Sequence, residues 1–277
     1  MKKKDKKPKI DPTGQVIENQ SYWKSRLCIG TPTTGLMRVE WIAARYGQII
    51  PTNWSMFEVK PWVNTVMPLR YLVADAQNII VKQAIDQDAE WLMLIESDNV
   101  LPIDAFARFN QYMIDGDIPV ISGLYFTKSV PPEPMVYRAA GRGYYGNGKW
   151  KMGDKVWAWG VPTGTLLIHM SIIKKMYEES PEYNAGGIMV RRVFHTPAKI
   201  WFDEITGNLR SETGTSDLQW CDRVVKERFF EKAGWPKYQK MQYPFLVDTN
   251  IFVKHIDESG RQWPLELPKE YVRDKRK

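Results

Sequence analysis

Apolar positions in this chain fall into two alternating patterns, short unbroken runs and longer stretches at helical spacing. Leu27-Cys-Ile-Gly-Thr-Pro32 is a short run that predicts a first strand, followed by the turn-rich Thr31-Pro-Thr-Thr-Gly35. A helix is predicted over Met37–Arg45. After a region rich in Pro and Trp, Tyr71–Ile85 carries Leu72, Ile79 and Ala84 at helical spacing. Trp91–Ile95 is the next strand, Pro102–Met113 the next helix and Pro119–Tyr125 the strand after that. Strand alternating with helix over the first half predicts an α/β fold, with a mostly parallel central sheet flanked by helices. From Thr127 to Trp159 no period is sustained, and a loop or β-rich excursion is expected. Pro162–Ile168 then resumes as a strand, Ile172–Glu179 as a helix and Asp217–Lys232 as one longer helix. Phe245–His255 reads as a late strand or strand pair.

The chemistry concentrates where one of these runs ends. Trp91-Leu-Met-Leu-Ile runs straight into Glu96-Ser97-Asp98-Asn99. A buried strand would therefore deliver two carboxylates and an amide to its C-terminal end, where open α/β sheets collect their ligands. Hard oxygens so placed suit a divalent cation, Mn²⁺ or Mg²⁺, and through it a diphosphate. Asp86-Gln-Asp88 and Asp115-Gly-Asp117 have the same spacing. Each follows a helix and precedes a strand, so both belong to the opposite edge of the sheet. The plain alternative for the Glu96 cluster is a loop start that caps the next helix.

Composition bounds the rest. With 277 residues, 43% of them hydrophobic, the chain can bury a substantial core. Of the net charge of +7, Met1–Lys9 supplies +5 and Arg273–Lys277 supplies +3, which leaves the body at about −1. Basicity thus resides in the two ends, free to touch a polyanion or an anionic membrane surface, or simply to aid solubility. A nucleic-acid-binding protein would have to work through those ends. Cys28 and Cys221 have no metal-ligand spacing, which points away from a disulfide framework and toward a reducing cytosol. No apolar stretch is long enough to span a bilayer, and the lysine-rich start is not followed by the apolar segment of a secretory signal.

In order and spacing, these pieces resemble a GT-A type glycosyltransferase of the family-2-like group found in phage and bacterial genomes. The resemblance covers roughly Leu27 to Asp257. It divides the chain into a basic tail over 1–24, a catalytic domain over 25–258 and a basic C-terminal tail over 259–277. Thr31-Pro32-Thr33 resembles the nucleotide-meeting loop after the first strand. Gln77-Asn78 stands where the family has Arg-Asn, and Glu96-Ser97-Asp98 resembles the metal-binding D-x-D with its first Asp replaced by Glu. Pro162-Thr-Gly164 resembles the small-residue turn that lets the donor sugar sit against backbone. Gly214-Thr-Ser-Asp217 resembles the helix start whose Asp is the base of inverting members, although Ser216 replaces the family's Glu. His255 matches the histidine that completes the metal or diphosphate site.

The resemblance implies a metal-dependent, inverting transferase with a UDP- or GDP-sugar as donor. Its metal ligands would be Glu96, Asp98 and His255. Thr31, Pro32, Thr33, Asn78, Glu96, Ser97 and Gly164 would meet the donor, and Asp217 would be the base. The acceptor, whether glycan, lipid or modified nucleic acid, is left open. A nucleotidyltransferase shares this layout but wants a Gly-rich basic loop after the first strand, and Thr31–Gly35 has one Gly and no Lys. A non-catalytic glycan binder on the same fold is the further alternative. Trp157 and Trp159 flank Ala158 as a sugar-stacking pair or, more ordinarily, as packing. His169 and His195 carry less weight.

Overall fold

The computed structural model describes residues 27–51, 54, 66–138, 150–266 and 270–271. In chain order the elements begin with β1 (Leu27–Gly30), α1 (Val39–Tyr46), α2 (Val73–Asp86), β2 (Trp91–Ile95), β3 (Asn99–Val100), α3 (Ala105–Asp115) and β4 (Val120–Leu124). There follow β5 (Trp150–Lys151), β6 (Lys155–Ala158), β7 (Thr165–His169), α4 (Met170–Glu179) and two hairpins, β8 (Glu182–Ala185) with β9 (Ile188–Arg191) and β10 (Ala198–Asp203) with β11 (Asn208–Thr213). The last part holds α5 (Ser216–Lys226), α6 (Phe229–Lys232), α7 (Pro236–Gln239), β12 (Phe245–Phe252), β13 (Lys254–Ile256), β14 (Gln262–Trp263) and β15 (Glu270–Tyr271).

Six strands form the central sheet in the order β1-β2-β7-β4-β12-β6. Parallel pairing of β1 with β2 and of β4 with β12 sets a common direction, which β7 and β6 oppose. The sheet is thus mixed, parallel in four strands, with the reversed β7 at its centre. That reversal has a consequence for the site. Because β7 starts where β2 ends, the turn before β7 lies beside the residues that follow β2, and Glu96 N–H donates to Gly164 O at 2.9 Å.

Every residue of β2 and β4 is buried, as expected of strands covered on both faces. Burying each Leu, Ile or Met here contributes about 1.5–3 kcal/mol. Helix α2 lies so close to β1 that a Cβ on Gly30 would come within 2.2 Å of Ile80. Its other side is covered by the β8–β9 hairpin, where Ile79, Ala185 and Val190 form a small second cluster.

Several expectations are revised. The predicted helix over 217–232 is two, because Arg228 takes a left-handed conformation (φ 60°) that ends α5 before α6 begins. Neither of the hairpins over 182–213 was anticipated. Asn184-Ala-Gly-Gly187 and Glu204-Ile-Thr-Gly207 supply their turns, and Gly186, Gly187 and Gly207 all have positive φ. The fold also runs past residue 258, since β14 pairs with β13 and β15 with β5. The proposed N-terminal tail lies outside the described residues.

Candidate functional site

The acidic cluster sits at the C-terminal end of β2, where the sequence pattern puts it. Two backbone contacts fix its position: Trp41 Nε1 donates to Glu96 O at 2.8 Å, and Asn99 N–H to the same oxygen at 3.2 Å. The chain then pairs as β3 with β13, which sets His255 opposite Asn99, and Ile256 N–H donates to Asp98 O at 2.8 Å. A strand 157 residues away is thereby held against Asp98, with His255 Nε2 at 3.1 Å from Asp98 Oδ2.

The same Asp98 Oδ2 accepts from Lys128 Nζ at 2.6 Å, while Asp98 Oδ1 is buried with no partner. His255 Nδ1 lies 2.9 Å from Phe126 O, which assigns its hydrogen to Nδ1. His255 Nε2 thereby faces the Asp98 carboxylate. Burial pushes the Asp98 carboxyl up, but the hydrogen bonds and charges of His255 and Lys128 outweigh it and bring it down to about 2.

Glu96 behaves in the opposite way. Its Oε1 accepts from Thr163 Oγ1 at 3.2 Å, and Thr163 Oγ1 accepts from Gln77 Nε2 at 3.0 Å. Burial, then repulsion from Asp98 and Asp217, raises its carboxyl to about 8. Asp217 is therefore near enough for its charge to act on Glu96, and it acts on Tyr125 as well. It stands in the first turn of α5, where its Oδ1 accepts from Leu218 N–H at 2.7 Å. Although that turn favours the charged form, burial dominates and the Asp217 carboxyl is raised. Helix α5 is anchored beneath the site by Cys221, whose Sγ lies 3.4 Å from Val161 N in the segment leading to Thr163 and Gly164.

Beside the cluster a cavity of about 650 Å³ opens, walled by residues that include Thr34, Arg38, Ser97, Asp98, Lys128 and Asp257. Among the described residues no group of three or more His, Cys, Asp or Glu side chains is arranged to enclose a metal ion. Asp98 and His255 are the pair in contact.

Sequence-derived site residues thus divide into two sets. Glu96, Ser97, Asp98, His255 and Asp217 are gathered at one edge. Asn78 is engaged elsewhere: its amide donates to Tyr183 Oη and Phe194 O and accepts from Phe194 N–H, pinning the 192–197 loop to α2. Its neighbour Gln77 is the residue that reaches the Glu96 network. Thr31 is fully buried, and Thr33 is bridged to Leu69, so the cavity wall begins one residue later at Thr34. Gly164 is needed for close packing. A Cβ there would meet Asn99 Nδ2 at 2.2 Å, Tyr125 Oη at 2.3 Å and Glu96 Oε2 at 2.8 Å, so side chains occupy the space expected for a sugar.

Tyr125, Lys128 and Thr163 complete the site without having been singled out for it, beside the Asn99 amide that the sequence already placed there. Lys128 had one signal, a cation just past the end of β4. Trp157 packs on Tyr238, with ring centroids 6.0 Å apart. His169 caps α4 and packs against Trp91 and Trp235, and burial lowers its imidazole to about 4. Both cysteine thiols are buried and pushed up, Cys28 to about 12.

No protein-family model matches the chain, and no curated protein sequence does. Among solved structures it is similar to A197 from STIV, at 13% identity over 90% of this chain and 94% of that one, with a TM-score of 0.50. TarS 1-349 of S. aureus, solved in complex with UDP, is 13% identical over 56% of this chain and 50% of that one, at a TM-score of 0.33. A glycosyltransferase involved in the glycosylation of the major capsid of PBCV-1 is 13% identical over 53% and 63%, at 0.27. The first is a likeness of fold over nearly the full length of both chains; the other two are partial.

Proposed function

We propose that this chain is a GT-A type glycosyltransferase that takes a nucleotide-diphosphate sugar as donor at the Glu96–Asp98 edge, with Asp217 as its general base. One observation carries the reading. Asp98 lines a cavity of about 650 Å³ with Glu96, His255 of β13 and the start of α5 grouped behind it, while Asp98 Oδ1 and both amide atoms of the buried Asn99 lack partners. Buried polar atoms are normally satisfied, so an orphaned carboxylate oxygen on a cavity-lining residue is suited to a ligand. The volume falls within the usual range for small-molecule sites.

The unpartnered Asp98 Oδ1 beside the His255 ring supports a hard divalent cation, Mn²⁺ or Mg²⁺, whose remaining ligands would come from the donor phosphates. Asp98 and His255 would hold it, with Glu96 behind them, and when bound it supplies neutralisation of the charge that develops on a departing diphosphate. The protein does the rest. Thr163, itself held by Gln77, orients Glu96, while Trp41 and β13 fix the backbone on either side of Asp98. Asp217 takes the proton of an acceptor hydroxyl as that oxygen bonds to the anomeric carbon. The bond from that carbon to the diphosphate breaks with its electron pair on the leaving group, inverting the configuration. Burial raises the Asp217 carboxyl and so strengthens it as a base.

Calorimetry with UDP and GDP, each with and without Mn²⁺, followed by hydrolysis assays on UDP- and GDP-sugars, tests the reading. Binding of one diphosphate that depends on the cation is expected. Failure of every nucleotide diphosphate to bind in the presence of Mn²⁺ would overturn it.

A further inference from the structure

Lys128 sits where an incoming cation would have to work. It lies just past the end of β4 in a loop closed on itself: Thr127 N–H donates to Glu133 O and Glu133 N–H to Thr127 Oγ1, both at 2.9 Å, and Thr127 Oγ1 is 2.6 Å from Ser129 Oγ. Phe126, two residues before Lys128, holds His255 through its carbonyl. One braced segment therefore positions both partners of Asp98 Oδ2. Lys128 and Asp98 also share a wall of the same cavity, and the lysine side chain keeps 30% exposure. Its anchor is fixed and its tip has room to move.

The contact is peculiar in its stoichiometry. Nζ and the His255 ring both address Oδ2, at 2.6 and 3.1 Å, while Oδ1 of the same carboxylate is left buried without a partner. A lysine whose purpose was to satisfy this Asp would gain by reaching the free oxygen. Bonding to the same oxygen as His255 instead places its ammonium on the carboxylate that a cation at Asp98 would have to engage.

We propose, resting on the donor-site reading above, that Lys128 is the placeholder for the divalent cation in the donor-free protein and becomes a diphosphate ligand once the cation displaces it. An ammonium and a divalent ion compete for Asp98 Oδ2, so binding of the ion there pushes Nζ along its flexible stem into the cavity. There its donors face the phosphate oxygens that the ion itself recruits. Lys128 thus opposes the cation when it binds alone and assists the diphosphate that follows, which couples the two steps in a preferred order.

The two roles give opposite signs in one variant. Mn²⁺ binding, read from the loss of the free-ion paramagnetic resonance signal, is compared in wild type, Lys128→Met and Asp98→Ala. Pyrophosphate binding in saturating Mn²⁺ is measured calorimetrically on the same proteins. Lys128→Met is expected to bind Mn²⁺ alone about two- to fivefold more tightly, the scale of a half-exposed ion pair, and pyrophosphate about tenfold or more weakly. Lys128→Arg should retain most of the pyrophosphate affinity, showing that a cation and not merely a folded loop is needed. Unchanged or weaker Mn²⁺ binding in Lys128→Met, with wild type still binding Mn²⁺ better than Asp98→Ala, would overturn the placeholder role and leave the donor site standing. Equal Mn²⁺ binding by wild type and Asp98→Ala would sink the donor-site reading and the placeholder together.

Discussion

Two aspartates in this molecule have opposite company, Asp248 buried and Asp98 with its side chain partly exposed. Asp248, in β12, has both oxygens satisfied: Tyr112 Oη donates to Oδ2 at 2.7 Å, and Asn250 donates to Oδ1 through its backbone N–H and its side chain at 2.9 and 3.0 Å. Asp98 has two partners, the Lys128 ammonium and the His255 ring, crowded on one oxygen and none on the other. The first arrangement is that of a structural group, whose desolvation is offset by neutral donors that cannot leave. In the second, lone pairs are kept unmatched at a cavity wall, and one partner is a partly exposed lysine on a long flexible stem. A carboxylate's hydrogen-bond closure, together with its burial, separates scaffold from site here.

The largest expected effect breaks chemistry and nothing else. Asp217→Asn keeps the size of the side chain and its bond to Leu218 N–H but removes the proton acceptor, so transfer should fall by about 10²- to 10⁴-fold. Donor affinity should stay near wild type. Single-turnover transfer measured beside donor binding checks this, and near-full transfer would reduce Asp217 to a helix-start charge.

The two aspartates can then be set against each other directly. Asp98→Ala should abolish cation-dependent nucleotide diphosphate binding while costing less stability than Asp248→Ala, since its ion pair with Lys128 is partly exposed. Asp248→Ala should do the reverse, costing about 1–3 kcal/mol because the buried Tyr112 hydroxyl loses its acceptor, with binding kept. Paired denaturant titrations and calorimetry decide it. The comparison collapses if Asp98→Ala is the less stable of the two.

How far the sequence could be read follows the same division. Residues that follow the end of one apolar run were legible, because β2 announces itself by five uncharged residues and its exit is fixed by strand geometry. Long-range partners were legible only where a motif marked them, as with His255 and Asp217. Gly164 and Asn78 were located but given roles that their neighbours take away. The space before Gly164 is filled by Tyr125 and Asn99 side chains, and the Asn78 amide is consumed by Phe194. Neither neighbour is near in sequence, and no local pattern encodes them. The reversal of β7 was hidden for the same reason: a buried strand reads alike in either direction.

The smallest expected effect concerns stability and pH, and it separates Glu96 from its neighbour Asp98. Glu96 is raised in the folded chain from an ordinary 4.5 to about 8, chiefly by burial. Between those values the folded protein holds a proton that the unfolded chain has released, so stability falls as pH rises through the window and levels above about 8. Asp98, brought down to about 2, has the opposite sign. Its stabilisation is present above the ordinary value and is lost as pH falls toward the folded one. Glu96→Gln mimics the protonated form, so it should match wild type below about pH 4.5 and exceed it above about pH 8 by on the order of 1–2 kcal/mol. Urea unfolding of both proteins without divalent ions, at the two ends of that window, measures the gap. A constant difference across the window would mean that Glu96 stays ionised throughout. Its carboxylate would then be solvated like a surface group, and the cluster would lose the repulsion that a cation is proposed to relieve.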